Sequence, residues 1–208
     1  NGVDRLIIEE LKGAQALHSS GQRLFRVSLH MTDGGKIHLQ LGDDGGPNVE
    51  RVYKTLDRSK WPSGPWDSEP DKVQWKDTAT GLPCLAVRHS DAGHWCGYVG
   101  VPEGHPWFEK DGDSAVHADV HGGLTFSGHC RPGSEDRAIC HIPEPGESDN
   151  VWWLGFDCAH AWDWSPEDEK FAAQGGIWTK DWDRVYRSLA YVKSQCASLA
   201  QQAHEARP

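Results

Sequence analysis

The chain has 208 residues with 31 acidic and 21 basic side chains, a formal net charge of −10, and 37% hydrophobic content. That balance suits a globular chain with no disorder signature, and a field of that sign repels phosphate backbones, which excludes nonspecific nucleic-acid binding. No apolar run approaches the roughly 18 residues that span a bilayer, and no charged-then-apolar leader opens the residues given, so no membrane partner and a cytoplasmic setting are expected.

In chain order, Asp4 is placed to cap a helix through about Ala16, with Leu6, Ile7, Leu11 and Ala14 on one side. "LFRVSLHM" then alternates, "TDGGK" offers turn chemistry, and Ile37, Leu39 and Leu41 resume the alternation, which predicts a β-hairpin. Asn48 is placed to cap a short helix carrying Val49, Val52, Tyr53 and Leu56. Residues 1–60 thus read as a small α-β-β-α module. "WPSGPWDSEP" (61–70), with three prolines, links it to a main domain over 61–208.

Short strand-like runs follow: "CLAVRH", "WCGYVGV", "SAVHADVHG", "LTFSGH", "AICHI" and "VWWLGFDC", separated by Gly- and Pro-rich turns. They predict a mostly antiparallel sheet. Val185, Leu189, Val192, Cys196, Leu199 and Ala203 are spaced 4, 3, 4, 3, 4, an apolar stripe on a helix from about Asp183 to Glu205 that packs on the sheet. The fold class expected is α+β, and the stripe is expected to be buried within a monomer. The six cysteines contain no CxxC pair. Cys84 with Cys96, or Cys130 with Cys140, could face each other across hairpins, but free, mostly buried thiols are the expectation.

Three places carry candidate chemistry. "HADVHGG" puts His117, Asp119 and His121 on one face of an expected strand, opposite Val116, Ala118 and Val120, and its two glycines admit a bulge or a ligand at His121. "GFDCAHAWDW" spaces Asp157, His160 and Asp163 three apart, which gathers them on one side of a turn. Carboxylates with imidazole suit a divalent metal such as Zn, Mn or Mg, and equally a His oriented as general base. "VPEGHPWF" holds Glu103 and His105 in a proline-bracketed loop, where Glu103 is a candidate base or ligand. Cys158 stands among acids that raise a thiol pKa, so it is not read as a nucleophile. Of the eleven tryptophans most are expected in the core, since the chain has one Met and five Phe, with two or three left as stacking platforms.

"CGYVGVPEGHP", "VHGGLTFSG", "WWLGFDCAHAWD" and "YVKSQCASLAQQ" resemble a family of uncharacterised proteins from bacteria and phages, over roughly residues 65–203. The resemblance implies no reaction, cofactor or fold. It implies a mobile-element or phage accessory protein and features the positions of His121, Asp157 and His160.

The chain lacks a P-loop, GxSxG, HExxH and a Rossmann glycine motif. The reading that joins the clusters is a metal-dependent hydrolase with His121, Asp157, His160 and Asp163 as ligands and catalytic groups and Glu103 closing the site. Its substrate is a small phosphorylated or amide-containing molecule. The alternatives are an acidic counter-defence protein that occupies a basic protein partner, and a Trp-rich module that binds a sugar or nucleotide without chemistry.

Overall fold

The computed structural model describes residues 3–10, 25–31, 35–41, 48–112, 114–144, 146–176 and 183–206. The fold is α+β, with a mostly antiparallel sheet and a C-terminal helix packed on it. The sheet strands are β1 (Val3–Glu10), β2 (Phe25–Met31), β3 (Gly35–Leu41), β4 (Asn48–Tyr53), β5 (Lys72–Lys76), β6 (Pro83–Arg88), β7 (Trp95–Pro102), β8 (Phe126–Gly128) and β9 (Val151–Asp157). Their order is β1-β2-β3-β4-β5-β6-β7-β9-β8, a run of neighbours with one exchange at the end. The remaining elements are β10 (Asp163–Trp164), helix α1 (Pro166–Ala173), β11 (Val185–Tyr186) and helix α2 (Leu189–Glu205).

The expected hairpin forms, with Leu29 opposite Ile37 and Val27 opposite Leu39; its turn at 32–34 lies outside the described residues. Among the described residues, neither of the two helices expected in the first sixty is found. Val3–Glu10 is a strand paired with β2, and residues 11–16 of that expected helix lie outside the described residues. Asn48–Tyr53 is a strand held between two ladders, with Val49 opposite Leu39 and Val52 opposite Val73. Ile7, Ile8, Val49, Val52 and Tyr53 are β-branched or aromatic, and long-range pairing outweighs the local capping signal. The α-β-β-α reading becomes four consecutive strands, and the β4–β5 ladder runs across the 60/61 boundary.

Alternation gives the sheet two packed faces. On one, Val73, Cys84, Ala86, Val99, Leu154 and Phe156 meet Val192, Cys196, Leu199 and Ala200 of α2. A Cβ at Gly97 would overlap the Phe156 ring and sit against Cys196 Sγ, so this glycine lets α2 approach the sheet. On the other face, Leu85, Tyr98, Val151 and Trp153 pack with Phe126 and Ile139. Strand β5 was not anticipated; its Lys72 and Gln74 are buried under the segment after β8. Lys72 Nζ donates to the carbonyls of Glu135 (2.5 Å), Ala138 (2.8 Å) and Cys140 (3.1 Å). Gln74 exchanges two bonds with the Ile142 backbone, at 2.7 and 2.8 Å.

A disulfide joins Cys130 and Cys140 in this segment, while Cys84, Cys96, Cys158 and Cys196 are free thiols. The fully reduced expectation therefore holds for four cysteines only. Cys84 and Cys96 do not face each other: their partners across the ladder are Val99 and Val87. "AICHI" gives only a single bridge, Arg131 with Ile139, because Lys72 and Gln74 take up its backbone groups instead of a strand.

Helix α2 begins at Leu189, not Asp183. Ser188 caps it, accepting from the Tyr191 amide, and Val185, expected on the apolar stripe, is exposed and pairs in β11 with Asp163. Val192, Cys196, Leu199 and Ala203 are buried against the chain's own core as expected. Among the described residues no helix is long and apolar enough to cross a membrane.

Candidate metal centre

Three of the anticipated residues come together. His121 is followed by Gly122 and Gly123, both with positive φ (67° and 87°), in a turn where Gly123 N donates to Val120 O at 2.9 Å. His160 and Asp163 belong to the turn that follows β9, closed by the Asp163 amide on His160 O at 2.9 Å. A tight turn of small φ-permissive residues thus meets a second turn at the end of β9, the strand next to the sheet edge.

Asp163 Oδ2 faces His121 Nε2 at 2.8 Å and His160 Nδ1 at 3.3 Å, and it accepts the His160 amide at 3.0 Å. One ligand atom from each of His121, His160 and Asp163 lies within 4.8 Å of the others, so the three could hold a metal ion. His121 and Asp163 are buried and His160 is partly open. A Cβ on Gly122 would overlap the His160 ring, so glycine is what lets the two turns close on each other. Trp162 stacks on the His160 ring (4.9 Å, 7° between planes) and is itself 48% exposed.

Around these three side chains stands a ring of residues that the sequence did not single out. Arg187 Nε donates to Asp163 Oδ1 at 2.8 Å. Tyr191 Oη lies 2.9 Å from His121 Nδ1, and Gln195 Oε1 accepts the His121 amide at 2.9 Å. Burial opposes the charge on Asp163, but bonds from Arg187, His121 and the His160 amide outweigh it and hold the carboxyl below its usual range. Tyr191 and Gln195 are i,i+4 on α2, beside the apolar stripe; a polar row next to a core stripe was the available signal.

The segment 116–120 is not a strand, although Val116 and Val120 are buried and His117 and Asp119 exposed. Helix α2 replaces the missing partner: Gln202 accepts the Asp119 amide at 2.7 Å and donates to Asp119 O at 2.8 Å. His117 and Asp119 therefore point to water, and His121 alone turns inward.

Asp157 and Glu103 are not in the cluster. Cys96 and Asp157 are opposite each other on the ladder, and alternation sends Asp157 to the sheet face away from α2, where its Oδ1 accepts the Ala159 amide at 3.1 Å. Glu103 follows Pro102, which pairs with Val151 at the start of β9, whereas the cluster follows the end of that strand, roughly 20 Å away at about 3.3 Å per residue. Glu103 is exposed and accepts from Asn150 Nδ2 at 3.3 Å. His105 lies 3.0 Å from Ala203 O and serves the C-terminal turn of α2.

The cluster opens into a cleft of about 520 Å³ whose lining includes His94, Cys158, His160, Asp163, Asp168 and Arg184. Burial first, then Asp163, pushes the Cys158 thiol far up, so no thiolate nucleophile forms there. Arg184 Nη2 donates to Asp168 Oδ1 at 3.1 Å and its guanidinium lies 5.0 Å from the Trp164 ring centroid. Comparison of the chain with protein-family models, curated proteins and solved structures finds no match.

Proposed function

We propose that this chain is a hydrolase working with a divalent metal ion held by His121, His160 and Asp163. The observation that carries the reading is the convergence of three ligand atoms within 4.8 Å at the edge of the cleft. The donor chemistry fits: two imidazoles and one carboxylate match three-ligand catalytic zinc sites that keep a position open, and the nitrogens favour Zn or Mn over Mg. Such an ion, when bound, supplies Lewis acidity and an activated water.

The chain's own residues orient that set. Tyr191 fixes the His121 ring, Arg187 fixes the Asp163 carboxylate, and the pair Gly122 and Trp162 fixes the plane of His160. The cleft volume of about 520 Å³ suits a small molecule, phosphorylated or amide-containing. A disulfide between Cys130 and Cys140 supports an oxidising compartment in preference to the cytoplasm.

One observation favours a second reading, a Trp-rich sugar- or nucleotide-binding module: Trp162 is half exposed beside the cluster. That reading expects ligand binding without turnover. Elemental analysis of untagged protein, with a panel of p-nitrophenyl phosphates and amides, separates the two. One equivalent of zinc or manganese and turnover lost on EDTA treatment and on His160→Ala support the hydrolase. Protein without metal affinity, or with unchanged turnover in His160→Ala, overturns it.

A further inference from the structure

The cleft presents another imidazole, one the ligand cluster does not use. His94 directly precedes β7, and its carbonyl accepts the His89 amide at 2.9 Å across the β6–β7 hairpin. The two rings stack with centroids 4.9 Å apart and planes 20° from parallel. His89 Nδ1 in turn faces the amides of Ala92 (3.2 Å) and Asp91 (3.4 Å). The hairpin turn thus locks His89, and His89 locks His94. Among the described residues, no donor or acceptor pairs with either ring nitrogen of His94, although it lines the same wall-to-wall space as His160, Asp163 and Arg184. His94 is half-buried, so its ring nitrogens are open to the cleft and not sealed in the core. A rigid imidazole with both nitrogens uncommitted, aimed into a cleft, is a ligand-contact position.

We propose that His94 is a substrate-contacting residue that donates a ring N–H to a phosphoryl oxygen bound in the cleft. The assignment rests on the cleft being the substrate site of the proposed hydrolase, but needs no metal to be tested. A phosphoryl group is favoured over an amide because a guanidinium, Arg184, lines the same space. Of the acids there, Asp163 is engaged by Arg187, Asp168 by Arg184 and by Ser165, and Glu167 is exposed. Burial, then the neighbouring His89, pushes His94 down to about 4. It is therefore neutral at physiological pH, with one N–H to donate and one nitrogen to accept.

The test is a titration of the full chain with inorganic phosphate, with and without zinc, followed by the imidazole ¹H–¹⁵N resonances. The His94 ring signals are expected to move saturably. His94→Ala should weaken phosphate binding about tenfold, the worth of one good hydrogen bond, with zinc uptake unchanged, and His94→Asn should recover part of the loss. Equal phosphate affinity in His94→Ala, or no phosphate binding by the folded wild-type chain, overturns the proposal. Phosphate contact at His94 with no zinc uptake would sink the hydrolase reading and leave His94 as a binding residue.

Discussion

Arg187 donates through Nε to Asp163 Oδ1 at 2.8 Å, which leaves Oδ2 as the one oxygen shared by His121 and the His160 amide. The guanidinium thus decides which lone pairs of a buried carboxylate face the candidate ion. Arg187→Gln leaves that carboxylate without its cation. It should cost about 2–3 kcal/mol, less than the roughly 3–5 kcal/mol of a fully buried pair because Arg187 is partly exposed. Saturating zinc should recover more stability in the variant than in wild type, since the ion replaces the lost charge. Urea melts with and without zinc check this.

Gly122→Ala introduces a Cβ into the space of the His160 ring at a backbone φ of +67°. The strain should cost about 1–2 kcal/mol, and the displaced His160 should lose zinc binding altogether. Calorimetric zinc titration of the folded variant, with circular dichroism as the fold control, reads the outcome. A variant that binds zinc like wild type would place His160 outside the ligand set.

Tyr191→Phe removes the partner of His121 Nδ1. Loss of such a supporting bond typically weakens metal affinity by about 10–100-fold, while stability should change by no more than about 1 kcal/mol. Competition with a zinc chelator measures the affinity, and a change below threefold would show that Tyr191 merely packs.

Burial pushes Lys72 down to about 8, with Asp136 and Glu135 opposing. The unfolded chain, with lysine near 10.5, then binds more protons than the folded one between these values, so this group makes stability rise with pH from about 8 to 10.5. Melts of wild type across pH 7.5–10 should show that upward slope relative to Lys72→Met. The variant itself should be less stable at every pH, because three carbonyls lose their donor.

Much of the sheet was legible because period-two alternation survives in "CLAVRH", "WCGYVGV" and "VWWLGFDC", each of which has one face on α2 and one on the opposite core. The N-terminal helices were misread because capping residues and apolar spacing are local signals, while β4 owes its state to two ladders at once. Strand β5 was overlooked since Lys72 and Gln74 look like solvent-facing residues. What buries them is a segment more than sixty residues on, which no local window contains.

Within the candidate site, His121, His160 and Asp163 were legible from residue type and spacing. Asp157 was not separable from them by spacing three alone; the strand it ends decides its face. Glu103 belonged to the right kind of loop at the wrong end of the strands. Arg187, Tyr191 and Gln195 could be placed only once the start of α2 and its rotation were known.

The pairing of Gln195 and Gln202 with residues 119–121 has a kinetic consequence. These carboxamides stand in for a neighbouring strand, so the amide hydrogens of Asp119 and His121 are guarded by a helix and not by the sheet. Their deuterium uptake should keep pace with the opening of α2 and run ahead of the β7–β9 ladder. His121 then belongs to the cooperative unit of the C-terminal helix, whereas His160 and Asp163 follow the end of strand β9. The candidate ligand set is assembled across two units that can breathe separately, and an ion bound among them would fasten one to the other.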